Sequence, residues 1–438
     1  MIRLVAHMGD PVRRPVIFMQ PGPIHLFWVT GVFYFWDLAK KFDFVFLVPA
    51  NYQQHTQFQK IASLPAVKHI EYIPEEGILS RHFRYKKIFR TLLQEYVPQL
   101  ILLHNWSYLG NQYLLELCAE LTPKASRFYF QNCRFPLMWE GNFAALRDVR
   151  IEPMLKSNRL FAYNPKLVGV VNDLRCTLSF LIHYKLFPLL VLGKVLHPPV
   201  NVMTGYVDRA AAIASLRAGK DFVLAYLAEE IEAYKSQGFE SVICIHHPMR
   251  NAGKQVFQFL YEDISEQDAI LILPSYGFTS QLIVQGWSES QVVDHVGGKW
   301  CNAMDALLAR FPGYRLTIKL HPASKNDPSW KRIIERIIQA FPQVINLPSS
   351  ESAELCVVKS RVVVSDVSTV LWWAALWGGK SVISLDVFGY PGGGEMKLYS
   401  NYIEYINDIS KINASSFSGH DLSSSGAESL HRLMKCDE

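Results

Sequence analysis

Arg315-Leu316-Thr317-Ile318-Lys319-Leu320-His321-Pro322 and Arg361-Val362-Val363-Val364-Ser365-Asp366-Val367-Ser368-Thr369 are the two segments whose reading decides the fold. Each runs through apolar, largely β-branched residues and ends in a polar turn. Between them lie a helical pattern, Trp330–Ile338, and a short strand around Val344–Leu347. After the second, a helical run from Val370 to Leu376 leads through Gly378-Gly379 to another strand, Ser381–Asp386. Continuous apolar strands alternating with helices predict a parallel sheet buried on both faces. Such sheets bind ligands outside the carboxyl ends of their strands. Lys319, His321 and the turn from Ser365 to Thr369 all fall at such ends.

The chemistry of the two turns points to an anion. Where a strand feeds a helix, free N–H groups and the positive end of the helix dipole face the ligand. Ser368 and Thr369 add hydroxyls, Lys319 adds charge, and His321, fixed by Pro322, offers a ring N–H. Taken singly, Ser365 or Asp366 reads as a helix cap and His321 as a turn residue. Together, at successive strand ends, they predict a nucleotide phosphate site. Ser275 and Gly277, in the loop that follows the strand Ala269–Leu273, are expected at the same end.

The first half of the chain has the same architecture. Strands at Pro15–Met19, Phe44–Val48, Val67–Ile73, Leu100–His104 and Arg127–Gln131 alternate with helices at Leu26–Lys41, Tyr52–Ser63, a basic segment from Arg81 to Arg90, and one ending near Leu121. From Phe135 to Lys235 the periodicity reads as helical, with Phe222–Tyr234 as an amphipathic segment. A strand, Ser241–Ile245, then ends in a loop from His246 to Lys254. The expectation is therefore α/β: two doubly wound, Rossmann-like domains across a cleft. The first spans 1–255 with a helical insertion at 135–235, and the second spans 265–412. After Lys397 a helix packs back, and 413–438 is a Ser/Gly-rich tail.

The whole chain bounds these readings. It has 438 residues, 50% hydrophobic and 19% charged, with a formal charge of +5. That suits two or three domains with substantial cores. The mild positive excess does not argue for nucleic acid; it is compatible with anionic lipid or a phosphorylated donor. Seven cysteines without a Cys-x-x-Cys pair read as buried thiols in a reducing compartment. No signal peptide is visible, because Arg3, Asp10, Arg13 and Arg14 interrupt the first 23 residues. In Leu178–Val200, His183, Lys185, Pro188 and Lys194 break the apolar run too often for a membrane span. Leu186–Leu196 reads either as an interfacial segment or as a buried connector helix.

Lys-x-His-Pro at one strand end and Ser-Asp-x-Ser-Thr at the next resemble the nucleotide half of GT-B glycosyltransferases. The pattern is similar to that of bacterial sialyltransferases, β-Kdo transferases and CDP-glycerol glycerophosphotransferases, over about the last third of the chain. The resemblance implies an inverting glycosyltransferase with a nucleotide-sugar cosubstrate, a CMP-sugar, and no resident cofactor. Its acceptor would be a growing capsular or lipopolysaccharide glycan or glycolipid. It would work in the cytoplasm, in peripheral contact with the inner membrane face. His321 and Pro322 would contact the nucleotide, and Ser365, Ser368 and Thr369 its phosphate.

Asp386 and Glu395 would serve the donor ribose or sugar. Glu75-Glu76-Gly77 offers an acidic pair beside a glycine, as in the acceptor domain of sialyltransferases, so Glu75 and Glu76 are the candidate catalytic base; an acidic surface turn is the other reading. Asp10, His25 and Glu140 are further candidates, His25 as an acceptor contact. His247, Arg250 and Lys254 read either as acceptor or phosphate contacts or as a solvated turn. No Asp-x-Asp stands at a strand end, so no metal is expected. A polyol-phosphate transferase of the CDP-glycerol kind, a UDP-sugar 2-epimerase and a non-catalytic assembly protein remain open.

Overall fold

The computed structural model describes residues 14–21, 27–73, 78–104, 117–130, 200–201, 206–207, 221–236, 238–275, 286–322, 327–366, 368–389 and 399–413, with 114, 279, 282, 283, 324, 396 and 397. The chain divides into two compact units. One comprises Met1–Phe130 and Cys176–Leu224, the other Gln131–Arg175 and Ala225–Glu438.

The first half supplies β1 Val16–Gln20, α1 Val32–Leu38, β2 Asp43–Pro49, α2 Thr56–Ala62, β3 Val67–Ile73, α3 Ile78–Tyr96, β4 Leu100–Leu103 and β5 Ser126–Phe130. Two short strands, β6 Val200–Asn201 and β7 Tyr206–Val207, pair antiparallel. Then come β8 Asp221–Ala225, α4 Ala228–Ser236, β9 Val242–Cys244 and α5 Met249–Leu260. The seven-stranded sheet has the order β3-β2-β1-β4-β5-β8-β9, with parallel pairing from β3 to β8. Its central strands are apolar on both faces: Ile17, Phe18, Met19, Val45, Phe46, Leu47, Ile101 and Leu102 are fully buried. Continuous apolar runs of this kind are what a parallel strand buried on both faces carries.

The second unit continues with β10 Gln267–Ile272, α6 Glu289–Arg310, β11 Arg315–Lys319, α7 Pro328–Ala340, β12 Ile345–Leu347, α8 Ala353–Lys359, β13 Ser360–Ser365, α9 Thr369–Trp377, β14 Ser381–Leu385 and β15 Glu404–Ile406. Their sheet has the order β12-β11-β10-β13-β14-β15, and every pair is parallel. The chain builds outward from β10 to β11 and β12, then returns to place β13 on the other flank of β10. The strand order therefore reverses between β10 and β13. On one side of the sheet α9 buries Trp372 and Trp373. Against α9 lies α5, close enough that a Cβ on Gly253 would stand 3.1 Å from the Trp377 ring.

Three expectations need correction. Phe222–Tyr234 is not one amphipathic helix: its start belongs to β8, which pairs with β5 through Arg127↔Asp221 and Phe128↔Phe222. A five-residue apolar run does not distinguish strand from helix by periodicity; the neighbouring strand decides. The His246–Lys254 loop ends at Pro248, where α5 begins; Met249, Ala252, Val256, Phe257 and Leu260 repeat at helical spacing and are buried. Among the described residues beyond Lys397 the chain forms β15 and the 3₁₀ turn Ile409–Lys411, with no α-helix. The two compact units meet in the chain at Leu224 and Ala225, and α5 runs across residue 255. The segments 135–199 and 414–438, including Leu186–Leu196, lie outside the described residues.

Candidate functional site

The crevice between β10 and β13 is where a doubly wound sheet opens, and Asp366 stands at its head. Ser365 closes β13 and gives its hydroxyl hydrogen to the Leu273 carbonyl just past β10. The Asp366 carboxyl is fully buried. Its Oδ1 accepts from the Ser275 N–H at 2.9 Å and lies 3.3 Å from Ser365 Oγ. Ser384 on β14 donates to the Asp366 main-chain oxygen at 2.9 Å. Three adjacent strand ends are thus stitched together through one residue. Burial pushes the Asp366 carboxyl up to about 6, against the opposing hydrogen bonds of Ser275.

Immediately after this stitch, α9 begins. Ser368 is its cap, accepting from the Val370 N–H at 3.3 Å, and Thr369 is its first helical residue. The extended backbone at Ser368 is the conformation such a cap requires. At the start of this nine-residue helix, the Val370 N–H is held by the cap and the Leu371 N–H bonds the Ser368 carbonyl at 3.1 Å, close behind Asp366 in the chain.

At the end of β11, on the other side of β10, Lys319 is buried, and its ammonium meets the carbonyls of Leu320 at 3.3 Å and Ser349 at 3.4 Å. Burial lowers its pKa, while Cys356, Glu354 and Glu351 oppose the shift. The Cys356 thiol is in turn pushed up to about 12, chiefly by burial. His321 is exposed; partial desolvation first, then the neighbouring Lys319, lower its pKa. Pro322 starts a tight turn in which Ser324 N bonds the His321 carbonyl at 2.9 Å. Asp327 then caps α7 through Ser329 N at 2.9 Å and receives the buried Thr279 hydroxyl at 3.3 Å. This ties the loop after β10 to the loop after β11.

The structure thus brings Ser275, Ser365, Asp366, Ser368 and Thr369 to one point, with Lys319, His321 and Pro322 at the adjoining strand end. Asp386 sits at the end of β14, but its carboxyl is taken by the Tyr405 hydroxyl. His247 is buried: its ring packs edge-on to Tyr226 at 4.6 Å and its Nδ1 accepts from Met249 N at 3.2 Å. Arg250 and Lys254 ride on the first turns of α5, Lys254 exposed. Asp10, His25, Glu75, Glu76, Glu140, Gly277 and Glu395 lie outside the described residues; the edge strand β3 ends at Ile73, two residues before Glu75. Among the described residues no group of three or more His, Cys, Asp or Glu side chains is set to hold a metal, and no helix is long and apolar enough to cross a membrane.

A second strand-order reversal, between β1 and β4, brings up residues that the sequence reading passed over. Gln20 closes β1, is buried, and has no hydrogen-bond partner for Oε1 among the described residues. His104 follows β4, its N–H bonded to the Gln20 carbonyl at 3.0 Å and its ring edge-on to Phe130 at the end of β5. The available signal was positional: each is a polar residue ending an otherwise apolar strand.

No family model and no curated protein sequence matches the chain. Two solved structures are similar along nearly its whole length. The UDP-GlcNAc 2-epimerase of Methanocaldococcus jannaschii is 8% identical, with a TM-score of 0.57 and coverage of 96% of this chain and 98% of that one. The UDP-GlcNAc 2-epimerase of Neisseria meningitidis, bound to UDP-GlcNAc, is 12% identical, with a TM-score of 0.50 and coverage of 91% and 89%. Likeness at this identity speaks to architecture, and the chain has the GT-B fold, two doubly wound parallel α/β units.

Proposed function

We propose that the chain is a glycosyltransferase that takes its sugar from a nucleotide donor held by the six-stranded sheet. One observation carries the reading: the Ser365–Thr369 turn feeds a capped helix start at the strand-order reversal, with the His321 strand end across β10 from it. A helix start, two hydroxyls and a histidine ring N–H are the chemistry that stabilises a departing phosphate without a metal. In this reading Ser368 and Thr369 take the phosphate, and His321 and Pro322 the nucleoside. Asp386 and Glu395 are assigned to the ribose or sugar, and Glu75 or Glu76 to deprotonating the acceptor hydroxyl. The sequence resemblance supports a cytidine donor and a bacterial surface glycan as acceptor, elongated at the inner membrane face.

The test is a thermal-shift panel with CMP, CDP, UDP, GDP and ADP on wild type and His321→Ala. A ligand at ~100 times its dissociation constant stabilises the folded state by about 2.7 kcal/mol. CMP is expected to give the largest shift, and His321→Ala to shrink it. A shift with UDP alone retires the cytidine assignment, and an unchanged response in His321→Ala removes that residue from the site.

The full-length likeness to two epimerases favours a second reading, a UDP-sugar 2-epimerase. The two separate with UDP-GlcNAc in D₂O: an epimerase incorporates deuterium at C2 of the sugar, whereas a transferase specific for a cytidine donor leaves UDP-GlcNAc unlabelled.

A further inference from the structure

We propose that binding of the ligand phosphate at the start of α9 drives a proton onto Asp366 Oδ2, so that the site takes up ligand and proton together. The proposal rests on the nucleotide-phosphate reading above. Its ground is an asymmetry between the two oxygens of one fully buried carboxyl. Oδ1 is engaged by Ser275 N at 2.9 Å and by Ser365 Oγ at 3.3 Å. Oδ2 is buried and has no hydrogen-bond partner among the described residues.

The groups facing this carboxyl are Ser275 beyond β10 and Ser365 on its own strand; Ser384 of β14 addresses the main-chain oxygen instead. No Lys, Arg or His among the described residues forms an ion pair with it; burial raises its pKa, and hydrogen bonds from the Ser275 side chain and main chain, its own main chain and Ser365 oppose that shift. A buried carboxylate with no cation and one idle oxygen is disfavoured against its neutral form. Asp366 lies two residues before Ser368, the cap of α9. A phosphate on that helix start adds a like charge next to the carboxylate, which favours protonation further. The proton comes from solvent and forms the O–H bond at Oδ2, the oxygen that has no donor among the described residues to satisfy it as a carboxylate. Oδ1 remains the acceptor for Ser275, so the loop after β10 stays in place. Asp366 acts as a positioning residue that neutralises itself when the anion arrives. The carboxyl's elevation to about 6 in the ligand-free chain leaves it mostly ionised at neutral pH and within reach of such a shift.

The experiment is calorimetric titration of the full chain with UDP-GlcNAc and with CDP-glycerol, phosphodiesters that carry no group ionising between about pH 6 and about pH 8. The expected result is an affinity that rises towards tenfold per pH unit as pH is lowered across that range. Titration in two buffers of different ionisation heat should show close to one proton taken up. Asp366→Asn keeps an acceptor for Ser275 and cannot titrate. It should bind independently of pH, at pH 8 at least as tightly as wild type does at pH 6. A flat wild-type profile overturns the proposal. So does a slope that survives in Asp366→Asn, which would assign the proton to His321. Loss of binding at every pH in a folded Asp366→Asn also overturns it, because the carboxylate would then accept directly from the ligand. If Asp366→Asn does not fold, the two-buffer proton count on wild type decides alone: near one supports, zero refutes. Absence of binding by any nucleotide ends the functional reading itself, an outcome distinct from binding without proton uptake.

Discussion

His247 shows how a single buried ring sets a pH dependence. Burial, and then the charge of Arg250, lower its pKa from 6.5 to about 3. The folded chain therefore keeps this histidine neutral down to about pH 3, while the unfolded chain protonates it below about 6.5. Between those limits the unfolded state binds more protons, so stability falls as pH falls, by about 1.4 kcal/mol per pH unit from this group. Asp366 has the opposite sign, because its raised pKa makes the folded state hold a proton that the unfolded state releases. His247→Asn preserves an acceptor for Met249 N and removes the titration. Urea midpoints at pH 7, 5.5 and 4.5 should show the variant gaining on wild type by roughly 1 kcal/mol per unit across the lower interval. A difference that does not change with pH would mean that the folded state carries the charge. The sequence marked His247 as a polar residue at a strand end, but burial beneath Tyr226 depends on a partner 21 positions away in the chain, and local pattern does not report it.

At the scale of elements, what was legible tracks how long each apolar pattern runs. The strands β1 to β5 and β10 to β14 stand where apolar runs predict them, and for the central ones this is because a strand covered on both faces has little choice of residue. β15, a three-residue Glu-Tyr-Ile, opens on a charge and leaves no apolar run, and its pairing with β14 through Ser384↔Tyr405 creates it. α5 was hidden by its own start, where His-His-Pro-Met-Arg reads as a polar loop although the apolar spacing beyond it is helical. The end of α3 carries a misfit of a different kind. Val97 follows the helix with φ of 44°, its N–H bonded back to the Leu93 carbonyl at 3.1 Å. That left-handed capping position favours glycine, and a β-branched side chain there is strained. Val97 is exposed and buries little in return. Val97→Gly should therefore raise stability by about 1 kcal/mol, read as a higher urea midpoint; an unchanged or lower midpoint would show that the unfolded-state entropy of the glycine outweighs the relieved strain.

For the whole molecule, the sequence announced two doubly wound sheets, and the seam between them is open to measurement. Both sheets show the same alternation of strands and helices, so the seam has to be inferred from loops, and a strand ending in His-His-Pro invites a boundary nearby. The packing assigns α5 to the six-stranded unit. Phe257 on this helix is buried, with its ring 5.7 Å from Trp373 and 5.3 Å from Trp377 on α9 and 5.4 Å from Tyr261. Removing that ring leaves a void against two tryptophans, and such Phe→Ala changes cost about 3–5 kcal/mol. The cost should fall unevenly. In Phe257→Ala, native-state hydrogen exchange should speed up in β13 and β14, which α9 covers, while amides of β1, β2 and β4 keep their protection. Equal loss of protection in both sheets would mean that the chain opens as a single cooperative body and that α5 is a shared element. Selective loss would place the energetic seam before α5, upstream of the helix that carries Arg250 and Lys254. Those two residues would then belong to the same folding unit as Ser368 and Thr369, and any contribution they make to ligand binding would be lost or kept together with the phosphate site.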